Sequence, residues 1–139
     1  MKSLHTLIKV AQRKLDELGV EAAKVGAEIA ELQGRESAVL AREQAELANA
    51  ARDPTFSAML GAYRMRVRQQ VSELRSQMSA KEKALEDIRE RLSQAYIEKS
   101  KFEQLLEQAE RRATAERAAR EQAQLDEVAI TRAGSQGKS

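Results

Sequence analysis

The chain has 139 residues, with only two Phe, two Tyr and no Trp, so it lacks the large side chains that a compact globular core needs. One third of the residues are charged, and the 24 basic and 22 acidic residues are interleaved, which argues against a general nucleic-acid binder and favours long helices. There are no cysteines, which excludes a disulfide scaffold and thiolate metal sites.

The first predicted element is a long helix at about residues 4–50. Its apolar residues recur in steps of four and three, which is the heptad pattern of a helix with one packing stripe. The seam positions are Leu4, Ile8, Ala11, Leu15, Leu18, Ala22, Val25, Ile29 and Leu32. The next position is Glu36, and we expect the seam to resume displaced, at Leu40 and Leu47.

A break follows at the stretch NAARDPTF, which holds the only proline of the chain. Asp53 precedes Pro54 and is therefore biased away from helical geometry, and Thr55 can cap the next helix. We place a turn at about residues 51–55. Two heptad arms and one turn predict an all-α antiparallel coiled-coil hairpin.

The second predicted helix covers about residues 55–130 and carries its own seam. Two consecutive steps of four, at Tyr63, Val67 and Val71, mark a stutter, which locally unwinds a supercoil. Lys81 and Lys99 occupy seam positions; either their stems pack while the ammonium groups reach solvent, or they restrict register and partner choice. The seam positions are Val67, Val71, Leu74, Met78, Lys81, Leu85, Ile88, Leu92, Ala95, Lys99, Phe102, Leu106, Ala109 and Ala113.

The end of the second helix differs from the rest, because the second arm is longer than the first and its seam becomes polar. We expect this end to overhang the hairpin and to need another protein. The alternative is a solvated helix end held by charge pairs such as Glu116 with Arg120. Residues 131–139 are expected to form a disordered tail.

The start of the second helix is rich in arginine and large apolar residues. No acid occurs in residues 54–72. The large residues either fill space left by alanines of the first helix or form an apolar anchor with an arginine rim, as in interaction hot spots. The apolar set is Phe56, Met59, Leu60 and Tyr63, and the arginines are Arg64, Arg66, Arg68 and Arg75.

No motif points to catalysis, a cofactor or a metal. The tail GSQGKS lacks the first glycine of a phosphate-binding loop, and His5 has no second histidine or cysteine to form a metal site with it. The carboxylates are expected on exposed helix faces without a concave pocket. We therefore predict a protein that is not an enzyme and has no cofactor.

Three stretches together resemble the FliJ family of flagellar export proteins, particularly its alphaproteobacterial members. The resemblance covers nearly the whole chain, and its most specific element is the closing pattern of Arg120, Glu121 and Gln122 followed by Leu125, Asp126 and Glu127. The stretches are MKSLHTLIKVAQRKLDEL, DPTFSAMLGAYRMRVRQQVSELRSQM and ERAAREQAQLDEVAITRA.

The resemblance implies a stalk, similar to that of rotary ATP synthases, in the hexameric ring of the flagellar type III export ATPase. It also implies contacts with the cytoplasmic domain of the export gate and with export chaperones, at a cytoplasmic site peripheral to the inner membrane. It assigns a gate or chaperone contact to Phe56, Leu60, Tyr63 and Arg64. It assigns the ATPase-ring contact to Arg112, Arg117, Arg120, Glu121, Gln122, Asp126 and Glu127.

Two other interpretations stay open from the sequence. One is the equivalent stalk protein of an injectisome secretion system, which has the same architecture. The other is a structural scaffold in which the seams pair between chains as a parallel dimer, although Pro54 and the unequal arms argue against a continuous heptad.

Overall fold

Two helices make up the computed structural model, which describes residues 2–136. Helix α1 spans Lys2–Ala50 and helix α2 spans Pro54–Gln136, and they pack against each other. No strand occurs among the described residues. The predicted all-α fold with two long helices is therefore confirmed. Within the same residues, no helix has the length and apolar character of a membrane span.

The turn between the helices covers residues 51–53, and α2 begins at Pro54. A proline suits the first helical position because its missing N–H would have no helical acceptor there. The Asp53 carboxylate accepts a hydrogen bond from the backbone N–H of Thr55 at 3.0 Å. Asp53 is therefore the N-cap of α2, and the expectation that Thr55 caps it was wrong, because Thr55 lies one position inside the helix.

Residues Lys14–Gln94 form one compact unit, which we call the hairpin unit. Its two helical arms run antiparallel, because Glu28 pairs with Lys81 and Glu36 pairs with Arg75. The buried apolar residues lie at predicted seam positions and at Ala50, next to the turn. They are Leu18, Ile29, Leu32, Ala50, Val67, Val71, Leu74, Met78 and Ile88.

Beyond Leu32, α1 keeps its heptad register. Glu36, Val39 and Glu43 continue the steps of four and three and are all half-buried, and Val39 packs against the buried cluster around Leu32. Leu40 is 38% exposed. The expected displacement of the seam was wrong at Leu40, whereas Leu47 is half-buried. The seam keeps its register because glutamates can occupy seam positions when their methylene stems pack and their carboxylates reach the edge.

The second unit combines the beginning of α1, up to Arg13, with α2 from Ala95 onward. Ala11 and Ala95 are its buried apolar residues among those that the structure describes. A half-buried stripe continues along α2 in the predicted seam. Its members are Lys99, Phe102, Leu106, Ala109 and Ala113.

From residue 114 to residue 135 every side chain of α2 is exposed. We call this stretch the terminal segment. The helix continues to Gln136, so residues 131–136 of the expected tail, 131–139, are helical. Gly134 weakens a helix by about 1 kcal/mol relative to alanine but does not interrupt it. Residues 137–139 of the expected tail lie outside the described residues, and the overhang stays a prediction.

Candidate functional site

The residues of the predicted ATPase-ring contact lie in or next to the terminal segment, and all of them are exposed. The polar contacts that the described residues of the terminal segment make are local. Gln122 donates a hydrogen bond from Nε2 to Asp126 Oδ1 at 3.0 Å, and Arg120 Nη2 lies 4.0 Å from Glu116 Oε2. Both pairs are four residues apart on one helix, where such contacts contribute about 0.2–0.5 kcal/mol.

These local pairs are weak enough to be exchanged for contacts with another protein. Arg117 and Glu121 have no ion pair within 4.0 Å to any described residue. Arg120 pairs only at the limit of that distance, with both partners well exposed. The terminal segment therefore presents alternating charges that its own helix holds only loosely.

Three large apolar side chains, Leu125, Val128 and Ile130, interrupt these charges. Leu125 is 64% exposed and Val128 is 49% exposed. They are three residues apart and therefore share one face of the helix, beside a shallow groove lined by Glu127, Val128 and Arg132. Sequence reasoning noted Leu125 alone and did not include Val128, although the spacing of three was visible.

At the other end of α2, the large apolar residues gather next to the turn. We call Phe56, Met59, Leu60 and Tyr63 the tip patch. Phe56 and Met59 are 50% and 68% exposed, whereas Leu60 and Tyr63 are half-buried. The four residues line a cavity of about 180 Å³ together with Glu46, Ala50 and Arg66. The space-filling interpretation fits Leu60 and Tyr63, which are half-buried. The interaction-anchor interpretation fits Phe56 and Met59, which are exposed.

The arginine rim divides into two sides. Arg66 borders the tip patch, together with Tyr63. Arg64, in contrast, lines a separate cavity with Arg68 and Arg75. Positions 64 and 66 lie on opposite flanks of the buried position 67, because each helical residue advances the direction by about 100°. The structure therefore does not bring Arg64 into the cavity of Phe56, Leu60 and Tyr63.

The second cavity is a groove of about 370 Å³ in the hairpin unit. Its apolar lining comes from Leu40 of α1 and from Val67 and Val71 of α2. We call it the basic groove, because three arginines line it and Glu43 is its one carboxylate. It is lined by Leu40, Glu43, Arg64, Val67, Arg68, Val71, Ser72 and Arg75.

The two seam lysines reach carboxylates at the edge of the helices. Lys81 contacts the Glu28 carboxylate of the opposite helix, and Lys99 Nζ lies 3.4 Å from Glu103 Oε1 on its own helix. The hydrogen bond from Lys81, together with the positive charges of Lys81 and Lys24, lowers the pKa of Glu28 below its ordinary value. In residues 2–136, no group of three or more His, Asp or Glu side chains is arranged to hold a metal ion.

Comparison with known protein families gives a match over nearly the whole chain. The family model described as "Flagellar FliJ protein" matches residues 1–138. No curated protein and no solved structure matches the chain significantly. The match includes both helices, the tip patch, the basic groove and the terminal segment.

Proposed function

Since the chain belongs to the FliJ family of flagellar type III export proteins, we propose that it is a non-enzymatic stalk protein of the export machinery. In this proposal the terminal segment and Arg112 bind inside the ring of the export ATPase. The tip patch and Arg64 contact the export gate or an export chaperone. The protein works in the cytoplasm at the flagellar base, peripheral to the inner membrane through its partners.

The observation that carries the proposal is the unbroken exposure of the terminal segment. Long helices in proteins gain most of their stability by packing an apolar face. Residues 114–135 remain helical with every side chain exposed, so their own chain supplies no such packing. Contacts with the inner loops of a ring would cover this helix on several sides and use its alternating Arg and Glu side chains.

The tip patch supports the second contact of the proposal. Hot spots of interfaces are enriched in aromatic residues and arginine, surrounded by contacts that exclude water. Phe56 and Met59 are at least half exposed and stand beside Arg66. An apolar partner side chain covering these two residues would remove them from water.

The cross-helix ion pairs weigh against the scaffold alternative. Glu28 with Lys81 and Glu36 with Arg75 join the two helices of one chain in antiparallel register. A parallel dimer would separate these partners within each chain. The seam residues of the hairpin unit are already buried within the single chain.

The proposal is tested by mixing the purified protein with the export ATPase of the same organism and measuring hydrolysis and ring formation. We expect the full chain to stimulate both and a chain lacking residues 110–139 to stimulate neither. Arg117→Glu with Arg120→Glu should weaken the response roughly tenfold. The control pair, Arg89→Glu with Lys101→Glu, changes the net charge equally and should act as the wild type.

Two results would contradict the proposed role. In one, the full chain leaves the ATPase unchanged under conditions in which it is folded by circular dichroism. In the other, the truncated chain stimulates as well as the full chain, which would assign the ATPase contact to another part of the protein.

A further inference from the structure

We infer that the basic groove binds an acidic amphipathic helix of a partner protein. This inference deepens the proposed function, because Arg64 belongs to the proposed gate or chaperone contact and the groove defines the chemistry of the segment that reaches it. The groove lies on the opposite flank of Val67 from Arg66 and shares no lining residue with the cavity of the tip patch, so it is a second surface of the hairpin unit.

The lining of the groove combines an apolar floor with an exposed apolar side chain. Val67 and Val71 are buried between the helices, and Leu40 stands beside them with more than a third of its surface exposed. Leu40 is exposed because the seam of α1 passes through Val39 and Glu43 instead. A partner that inserts one apolar side chain against Leu40 would cover this surface.

The charge of the groove is positive and only partly balanced. Arg64 and Arg68 have no carboxylate within 4.0 Å among the described residues. Arg75 pairs with Glu36, with 3.2 Å between Nη2 and Oε1, but the Arg75 side chain remains 64% exposed. Glu43 is the single carboxylate of the lining, against three arginines. Charge complementarity therefore selects an acidic partner.

The spacing of the arginines selects a helical partner. Arg64 and Arg68 are one helical turn apart, which is about 6 Å along α2. Two carboxylates four residues apart on a helix lying along the groove have the same separation. Arginine favours this arrangement, since its guanidinium group can donate two parallel hydrogen bonds to one carboxylate. An apolar residue on the same face of the partner would then meet Leu40.

A phosphate-rich partner fits these observations less well. Affinity for a nucleic acid depends on many phosphate contacts along a basic surface, and the whole chain has a net charge of only +2. Anionic membranes likewise attract clusters of basic residues and do not require a concave apolar lining. An RNA probe and anionic vesicles test these two alternatives.

The test uses the full chain and three labelled probes of equal length, measured by fluorescence anisotropy. One is a helical peptide with glutamates four residues apart and leucine on the same face, and the second replaces each glutamate with lysine. The third is a single-stranded RNA. Anionic phospholipid vesicles are added as a competitor. We expect the acidic peptide to bind more tightly than the lysine peptide and the RNA, with affinity falling as salt screens the charges.

The variants locate the binding. Arg64→Glu with Arg68→Glu should lower the affinity for the acidic peptide at least tenfold, and Leu40→Ser should lower it about threefold to tenfold. Arg89→Glu with Lys101→Glu should leave it within twofold of the wild type. All substituted side chains are exposed, so circular dichroism should show unchanged helix content for each variant.

Three outcomes would overturn the inference. The lysine peptide could bind as tightly as the acidic one, the RNA or the vesicles could outcompete the acidic peptide, or the two double variants could lose equal affinity. None of these measurements uses an export component. A failure of the peptide-binding test therefore does not affect the ATPase test, and a failure of ATPase stimulation does not affect the peptide-binding test.

Discussion

The hairpin unit and the terminal segment share helix α2, but apolar side chains of α2 are buried in the first and exposed throughout the second. In the hairpin unit, Val67, Val71, Leu74, Met78 and Ile88 are buried against the chain itself. In the terminal segment no residue from 114 to 135 is buried. Helical propensity and charge density are similar in both, so the size of the side chains at seam positions decides whether a helix packs within its own chain or is left for another protein.

This difference places the folding stability in the hairpin unit and leaves the terminal segment for binding. Removing apolar surface from water contributes about 25 cal/mol per Å², and in this chain that contribution is concentrated where the seams carry Leu, Ile, Val and Met. The terminal segment contributes little to folding and can vary its contacts without unfolding the hairpin unit.

The largest effect is expected from Leu74→Ala in the buried cluster. Leu74 is 8% exposed and packs with Leu32 and Met78, so its truncation should lower the free energy of unfolding by about 2–5 kcal/mol. Leu125→Ala in the terminal segment should change it by less than about 0.5 kcal/mol. Urea unfolding followed by circular dichroism measures both, and equal losses would remove the distinction between the regions.

A smaller loss is expected from Asp53→Ala at the turn. The carboxylate caps α2 by accepting the Thr55 N–H, and loss of such a cap typically lowers the free energy of unfolding by about 1 kcal/mol. Thr55→Ala should have an effect below about 0.5 kcal/mol, because its side chain is not the cap. A larger loss for the threonine variant would show that the cap is assigned to the wrong residue.

Glycine replacement should stabilise only the hairpin unit. Gly34 is helical, and a Cβ added there meets no atom within 4 Å, so Gly34→Ala should raise the free energy of unfolding by about 0.5–1 kcal/mol. Gly134 has the same open surroundings. Gly134→Ala should leave the unfolding midpoint unchanged, because no packing of the hairpin unit depends on that turn of helix. A matching gain at Gly134 would mean that the two regions unfold together.

The smallest effect is expected in the dependence of stability on pH. The pKa of Glu28 is lowered, first by the hydrogen bond from Lys81, so the stability it contributes is complete above the ordinary value of 4.5 and is lost as the pH falls through the lower folded-state pKa. We expect the melting temperatures of wild type and Glu28→Gln to differ at about pH 6 and to converge at about pH 3.

Glu116→Gln is the matched control for this pH series, because Glu116 pairs with Arg120 in the terminal segment. Its melting temperature should follow the wild type at every pH. A constant difference between wild type and Glu28→Gln across the series would show that the Lys81 pair does not cause the pH dependence.

Much of the fold could be predicted because large apolar residues mark both seams. Every seam position predicted from Leu4 to Leu32 and from Val67 to Ala113 is buried or half-buried. The seam of α1 near the turn could not be found in this way, since Glu36 and Glu43 are polar. The pairing of Lys81 with Glu28 across the helices could not be predicted either, because a lysine at a seam position can also extend into solvent.

The candidate site was less predictable, because it depends on which flank of a helix each residue occupies. The arginines near the turn were visible as one group, but Arg64 and Arg66 lie on opposite flanks of Val67 and border different cavities. The basic groove also depends on Leu40, which the sequence placed in the seam. The ring contact of the terminal segment came from family resemblance alone and stays a prediction.

The central proposal is that the terminal segment, and not the core of the hairpin unit, binds the export ATPase. Hydrogen–deuterium exchange of the full chain, measured with and without the ATPase, tests it most directly. We predict that amides of residues 114–135 gain protection in the complex while those around Leu32 and Leu74 keep their rates. Protection confined to residues 14–94, or no change in residues 114–135 when complex formation is demonstrated, would contradict the claim.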